Sequence, residues 1–132
     1  MQEPTFLILT ALAEGAQHGY GIIADVERIS AGRTRMRAGT LYAALDRLQA
    51  ENLIAADREE VVDGRLRRYY RLTEDGAAAL AAEVEALRRR TEVAARRLAA
   101  RPNLGATAAA LRSASSALFA PPPAGRPSGE PC

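Results

Sequence analysis

Residues 37–73 read RAGTLYAALDRLQAENLIAADREEVVDGRLRRYYRLT, and they predict one helix followed directly by a β-hairpin. The helix is expected over residues 39–51, where Leu41, Leu45 and Leu48 recur at i, i+4 and i+7. This spacing places the three leucines on one side of a helix, so that side is expected to be buried. The residues between the leucines then lie on the other faces of the helix.

The hairpin is indicated by a turn signal and by alternation on its second arm. Leu53 and Ile54 begin the first arm, and Asp63-Gly64 is a two-residue signal for a type I′ turn, because both positions need a positive φ that Asp and Gly tolerate. On the returning arm, a period of two separates the side chains onto two faces. One face carries Leu66, Arg68, Tyr70 and Leu72, and the other carries Arg65, Arg67, Tyr69 and Arg71. A helix packed against a hairpin with an arginine-rich second arm is a winged helix, which is a DNA-binding shape.

Two further helices are predicted before this stretch. Thr5 can cap the first helix, and Gly15 ends it. Because its apolar residues cover more than one face, it is either a central core helix or a helix whose outer side packs on a second subunit. We expect the second arrangement, with Phe6 and Leu9 at the subunit interface. The second helix runs from residue 20 to about residue 30, with the inward stripe Ile22, Ile23, Val26 and Ile29.

The expected DNA contacts lie around the third helix and on the wing. Arg33, Arg35 and Arg37 precede the helix N-terminus, where free N–H groups and the helix dipole favour a phosphate; the alternative is a solvated charged loop. Thr40 and Tyr42 are close enough to that end to reach base edges or sugar-phosphate in a major groove, although Tyr42 can instead pack against the first helix. The predicted DNA-binding residues are Arg35, Arg37, Thr40, Tyr42, Arg47, Arg65, Arg67 and Arg68.

A long fourth helix follows the wing. Thr73 is expected to cap it, with Glu74 and Asp75 in the first turn, where the helix dipole favours acidic side chains. Apolar and small residues then alternate at spacings of four and three, as in a coiled-coil seam. The seam residues are Leu80, Val84, Leu87, Thr91, Ala94 and Leu98. The helix either pairs with a second copy or lies on its own domain, and we expect dimerisation.

The predicted fold class is therefore mainly α with a small β-hairpin: a winged helix-turn-helix domain plus a long C-terminal dimerisation helix. Residues 1–73 are expected to form the DNA-binding domain and residues 74–101 the dimerisation helix. Residues 102–132 are rich in Pro and Ala, and this tail is expected to be largely disordered.

Composition limits the location and the class of function. The chain has 132 residues, 48% hydrophobic and 26% charged, with a net charge of +2, which is ordinary for a soluble protein. Its start lacks the basic region and cleavage site of a secretion signal, and the longest apolar run, residues 6–13, is too short to span a bilayer. A cytoplasmic protein with no membrane partner is expected.

The chemistry-bearing residues are few. Cys132 is the single cysteine and His18 the single histidine, so neither a disulfide nor a metal site is predicted, and no cofactor is expected. His18 is expected to cap a helix or to bond to backbone, and Tyr20 to pack with its hydroxyl partnered. The chain has no glycine-rich phosphate loop and no nucleophile paired with a base, so we expect no enzymatic activity.

Several linked motifs resemble one family. They are Gly39-Thr40-Leu41-Tyr42, Ala44-Leu45, Arg47-Leu48, Leu53-Ile54, Gly64-Arg65, Arg68-Tyr69-Tyr70, Leu72-Thr73 and Gly76, with His18-Gly19-Tyr20 upstream. Together they resemble the PadR family of winged-helix transcriptional regulators, although Ala43 stands where that family usually has Pro, and the chain has no Trp. The resemblance implies a repressor of a nearby operon that is relieved when a small-molecule effector binds near the dimer interface.

The winged-helix pattern and the resemblance together predict a homodimer on double-stranded DNA, with two third helices in successive major grooves of a pseudo-palindromic operator. The rival hypothesis is a winged-helix adaptor that binds protein without specific DNA binding. The arginine-rich strand argues against the adaptor, because a protein-binding wing has no need to be so basic.

Overall fold

A computed structural model describes residues 1–102, so most of the predicted tail lies outside the described residues. The elements in chain order are α1 (Glu3–Leu12), β1 (Gln17–His18), α2 (Gly19–Ile29), α3 (Ala38–Ala50), β2 (Ile54–Val62), β3 (Arg65–Leu72) and α4 (Glu74–Ala99). The three strands form one antiparallel sheet in the order β1-β3-β2. Helices followed by a small sheet and a long helix confirm the predicted winged-helix class.

The core is one apolar cluster built from all three N-terminal helices and the start of the wing. Its fully buried side chains are Ile8, Leu9, Leu12, Ile22, Val26, Leu41, Leu45, Leu48 and Ile54. The three leucines of α3 are inside as their spacing predicts. Because α1 contributes three of these side chains, it is a central core helix within its own chain.

The start of α1 differs from the prediction. The helix begins at Glu3, with Pro4 in its first turn, and its N-cap residue Gln2 makes no side-chain cap. Thr5 is therefore not the cap but a buried residue within the helix. Pro suits the first turn because its missing N–H has no intrahelical partner there. Leu9, expected at a subunit interface, is fully buried in its own domain.

The short strand β1 was not predicted. Gln17 pairs with Tyr70 and His18 pairs with Tyr69, on the side of β3 that faces away from β2. Two residues are too few to show a period of two in the sequence. They form a strand because they pair with the free edge of β3. The pairing places the start of α2 directly beside the wing.

The hairpin has the predicted turn, and both faces of its second arm are covered near the core. Asp63 and Gly64 have φ of 52° and 75°, the positive values that a type I′ turn requires. The register from Ile54↔Leu72 to Val62↔Arg65 contains an irregularity between Ala56 and Glu59. The neighbours Tyr69 and Tyr70 are both buried, because Tyr69 packs edge-to-face on His18 with centroids 5.3 Å apart while Tyr70 joins the core. Leu66, which shares a face with Tyr70 and Leu72 in the predicted alternation, is 58% exposed because it lies near the hairpin turn, beyond the core.

A hydrogen-bonded junction ties the start of α4 to the end of α3. Asn52 follows α3 with a φ of 62°, the left-handed conformation in which many helices end. Its side-chain amide donates to Asp75 (2.9 Å), and its carbonyl accepts from the Thr73 hydroxyl (2.7 Å). The same hydroxyl accepts from the N–H of Gly76 (2.9 Å), which confirms the predicted cap. Gly76 packs directly on the carbonyl oxygen of Leu53, where a side chain would not fit.

The helix α4 belongs partly to the winged-helix unit. The chain divides into a compact unit Met1–Leu87 and a second unit that begins at Arg88. The predicted boundary after Thr73 falls inside the first unit, because Leu80 packs against the core and Glu83 pairs with the N-terminal amine at 3.7 Å. Within residues 1–102, no helix is long and apolar enough to cross a membrane.

Candidate nucleic-acid interface

The N-terminal end of α3 presents polar side chains to solvent. With Leu41 and Leu45 inside, the helix leaves Thr40, Tyr42 and Ala43 exposed. Arg37 occupies the N-cap position and is itself exposed, and no acidic residue stands in the first turn. This end of the helix is therefore electropositive, because its free N–H groups and the neighbouring guanidinium are not offset by a local carboxylate.

The predicted arginines divide into unpaired and paired groups. Among the described residues, Arg37, Arg65 and Arg67 have no carboxylate within ion-pair distance. By contrast, Arg35 pairs with Glu27 at 3.4 Å and Arg68 pairs with Glu59 at 3.1 Å. Both pairs are largely exposed to solvent, where such pairs contribute little to stability. All five guanidinium groups are therefore able to contact an anionic partner.

Arg47 stands apart from the other predicted contacts. It lies in the last turn of α3, and its guanidinium donates to the hydroxyl of Thr5 at 3.4 Å. Seven residues separate it from Thr40, which corresponds to about 10 Å along a helix axis. The structure thus places Arg47 against α1, and it does not bring this residue to the N-terminal end of α3.

One groove joins the helices to the wing, and we call it the wing groove. It has a volume of about 450 Å³ and runs between the start of α2, Tyr42 of α3 and the hairpin. The helix wall consists of His18, Gly19, Tyr20 and Tyr42, and the wing wall consists of Val62, Asp63, Arg65, Leu66, Arg67 and Arg68. Three arginines against one aspartate make this groove a positively charged site.

Tyr42 is positioned by contact with α2. A Cβ at Gly19 would overlap the Tyr42 hydroxyl and lie 2.9 Å from its ring carbon Cζ, so the phenol rests where only glycine leaves room. The first helix was the alternative partner expected for Tyr42, and the contact that the structure shows is with Gly19 of α2. With 43% of its surface exposed, Tyr42 still faces the groove.

Tyr20 is the residue of this site that the sequence analysis placed wrongly. It was expected to pack with its hydroxyl partnered, but it is 66% exposed and lines the wing groove. The helical period could have indicated this exposure. Tyr20 stands two residues, about 200° of rotation, from the buried Ile22, so it lies on the opposite side of α2. Ile29, predicted in the inward stripe, is also exposed, at 40%.

His18 has the structural role predicted for it. Its Nδ1 accepts a hydrogen bond from the N–H of Gly21 at 3.3 Å and so caps α2. Burial lowers the pKa of His18, the positive Arg67 lowers it further, and Glu60 partly opposes them. The neutral form is favoured, as the cap requires an Nδ1 without a proton. Among residues 1–102, no group of three His, Cys, Asp or Glu side chains could hold a metal ion.

These features define a winged-helix protein with an exposed third helix and a basic wing. A sequence model of the PadR-like family of transcriptional regulators matches residues 8–82. The chain is 40% identical over 80 residues to the transcriptional regulator Rv3488 of Mycobacterium tuberculosis, covering 61% of this chain and 71% of that protein. The chain belongs to the PadR-like family, and the members of this family are transcription regulators, not enzymes.

Solved structures agree with this assignment. A PadR family regulator from Clostridium difficile is 26% identical with a TM-score of 0.60, covering 70% of this chain and 94% of its own. A second, from Eggerthella lenta, is 27% identical with a TM-score of 0.55, covering 74% and 81%. The fold also matches Bacillus subtilis PadR in complex with operator DNA, at 21% identity and a TM-score of 0.56, covering 63% and 47%.

Proposed function

We propose that this regulator is a homodimeric, sequence-specific DNA-binding protein that inserts the N-terminal end of α3 into a major groove. The observation that carries the proposal is the wing groove, which joins Tyr42 of α3 to Arg65 and Arg67 of the wing. Because these two arginines have no carboxylate partner and lie beside an exposed helix end, they can bind a polyanion such as DNA. The fold is shared with Bacillus subtilis PadR, which was solved in complex with operator DNA, and this supports DNA as the partner.

The contacts fall into two chemical classes. Thr40 and Tyr42 reach base edges or fix the register, because they lie on the first turns of the helix that enters the groove. Five arginines contact phosphates or the minor groove and supply most of the affinity but little of the sequence choice. They are Arg35, Arg37, Arg65, Arg67 and Arg68. Arg47 is left out of this set because it is held against α1.

We assign the dimer interface to the seam of α4. Leu87 and Leu98 are 37% and 36% exposed in the single chain, and they stand on the same heptad register as Leu80, Val84, Thr91 and Ala94. Phe6, only partly buried, can add to this interface, whereas Leu9 offers no surface to a partner. Two-fold symmetry then presents two copies of α3 to a pseudo-palindromic operator.

The regulator acts in the cytoplasm as a repressor of a nearby operon, relieved by a small-molecule effector. Binding of the effector near the dimer interface would change the separation of the two DNA-binding domains. Such relief requires an effector with different affinities for the two arrangements.

The test is a fluorescence anisotropy titration against the DNA upstream of the protein's own gene, at several salt concentrations, with unrelated duplex as competitor. Tight binding that resists the competitor and weakens steeply with salt is expected. The double substitution Arg65→Gln and Arg67→Gln should weaken binding to all sequences about equally. It should also reduce the slope of log K against log salt by about 1.8, since each phosphate contact contributes about 0.9.

The matched control removes two charges elsewhere. Arg89 and Arg96 occupy outer heptad positions of α4 and are exposed, so Arg89→Gln with Arg96→Gln changes the net charge equally without touching the wing. This control should retain the wild-type slope. A wing variant with an unchanged slope, or wild-type binding that ignores salt, would contradict the proposed function.

A further inference from the structure

The wing groove contains two exposed phenols that no hydrogen bond within residues 1–102 accounts for. The Tyr20 side chain is 66% exposed, and the Tyr42 hydroxyl rests against Gly19, which offers it no side-chain partner. The other two tyrosines are engaged, since Tyr69 donates to Glu60 at 2.6 Å and Tyr70 packs in the core near Arg68. Tyr20 and Tyr42 are thus the phenols available to an external partner.

The opposite wall of the groove supplies the charge. Arg67 stands across from the start of α2 and lies close enough to His18 to lower its pKa together with burial. Arg65 follows the hairpin turn, and neither arginine has a carboxylate partner in the described part of the chain. Neutral donors on one wall and free cations on the other form a site for a single anionic group, held by charge and oriented by hydroxyls.

We propose that the wing groove seats one backbone phosphate of the bound DNA strand, with Tyr20 and Tyr42 donating hydroxyl hydrogen bonds from the helix wall and Arg67 contacting the phosphate from the wing wall. This inference rests on the proposed function, and it adds Tyr20 to the DNA contacts. It also fixes the path of the strand, which passes between α2 and the hairpin. Gly19 is a positioning residue, because its missing side chain lets Tyr42 stand beside Tyr20.

Salt dependence separates a hydroxyl contact from a charge contact. A neutral phenol releases no counterion when it is lost, so Tyr20→Phe should weaken binding to operator and to unrelated duplex by about tenfold while leaving the salt slope unchanged. Arg67→Gln should weaken binding and also reduce the slope by about 0.9. Tyr20→Phe keeps the exposed ring, so the fold is expected to be retained.

A truncation control lies on the same helix. Ile29 is 40% exposed at the other end of α2, so Ile29→Ala removes a large exposed side chain far from the wing groove. It should bind DNA like the wild type, whereas Tyr20→Ala should lose at least as much affinity as Tyr20→Phe. Equal binding by Tyr20→Phe, Tyr20→Ala and the wild type would overturn this inference while leaving the proposed function intact.

The phosphate itself is located with duplex operator in which single phosphates are replaced in turn by neutral methylphosphonates. At one position in each half-site, the replacement should cost the wild type more affinity than it costs Tyr20→Phe, because the variant has already lost the hydrogen bond. Losses that are additive at every position would refute the contact. A groove occupied instead by an acidic peptide would likewise leave the DNA isotherms of the Tyr20 variants unchanged. Wild-type protein that fails to bind any duplex would refute the proposed function first, and this inference with it.

Discussion

Replacing Gly76 by alanine should destabilise the protein, although glycine-to-alanine changes in helices usually stabilise. Gly76 lies in the first turn of α4, and alanine there would be expected to gain up to about 1 kcal/mol from helix propensity. However, the added Cβ would overlap the carbonyl oxygen of Leu53 and lie 2.8 Å from Cδ1 of Leu72. A backbone oxygen cannot rotate away as a side chain can, so the helix and the loop would have to separate.

The magnitude follows from the contacts that this separation disturbs. Overpacking in a well-packed region costs about 1–3 kcal/mol. Moving α4 away also strains the bonds from Thr73 to the carbonyl of Asn52 and from the Thr73 N–H to the carbonyl of Leu53, which are each worth about 1 kcal/mol. After subtracting the propensity gain, a net loss of about 2 kcal/mol in the free energy of unfolding is expected. For a unit the size of Met1–Leu87, that corresponds to a fall in Tm of about 8–16 °C.

Urea denaturation and thermal melts at one fixed protein concentration would measure the effect, because a dimer makes stability depend on concentration. Gly39→Ala is the matched control: Gly39 lies in the first turns of α3, and a Cβ there meets nothing within 4 Å. The control should be as stable as the wild type or slightly more stable. If Gly76→Ala matched or exceeded the wild type as well, the reasoning from the Leu53 carbonyl would be wrong.

Three further predictions follow from single contacts. Burial and, to a smaller extent, Arg67 lower the pKa of His18 below its ordinary 6.5, so the unfolded chain binds the proton more readily than the folded one. Stability to urea should therefore be intact above pH 6.5 and fall as the pH drops below it. His18→Asn, which can cap the helix but cannot titrate, should make that fall smaller. Leu87→Asp places a charge in the α4 seam and should halve the mass measured by light scattering; a persistent dimer would place the interface elsewhere. Gly19→Ala should displace Tyr42 and lower both Tm and DNA affinity. Adding Tyr42→Phe should recover part of the Tm, because the Tyr42 hydroxyl is the atom nearest to the new Cβ. A double variant that melts no higher than Gly19→Ala would count against the contact.

The parts of the fold that local chemistry determines were predictable from the sequence. The leucine spacing defined the buried side of α3, Asp63-Gly64 defined the turn, and Thr73 defined the start of α4, because each depends on neighbours in the chain. The strand β1 was not predictable, since two residues become a strand only when Tyr69 and Tyr70 of β3 are beside them. This pairing joins residues that are far apart in the chain, so no pattern within residues 17–18 predicts it.

The candidate site was predictable in its charge but not in its geometry. Periodicity correctly placed Arg47 and Tyr42 away from the buried stripe of α3, but it could not name their neighbours, which are Thr5 and Gly19. For Tyr20 the periodicity was available but was not followed. Its position on α2 points away from the buried Ile22, yet it was expected to pack because it is aromatic and lies beside a helix start. A helical wheel gives the direction of a side chain, whereas its partner depends on how separate elements come together.

The junction between α3 and α4 gives the proposed regulation a physical route. The hydrogen bonds of Asn52 to Asp75 and Thr73, together with the close approach of Gly76 to the Leu53 carbonyl, hold the end of α3 and the start of α4 as one body. A rotation at the start of α4 would have to break those bonds or carry α3 with it. In the proposed dimer, a change in how the two α4 seams pack would therefore change the spacing of the two α3 helices on the operator. An effector would need only to favour one seam arrangement, because the junction transmits the difference to the DNA-binding end without any contact between effector and α3.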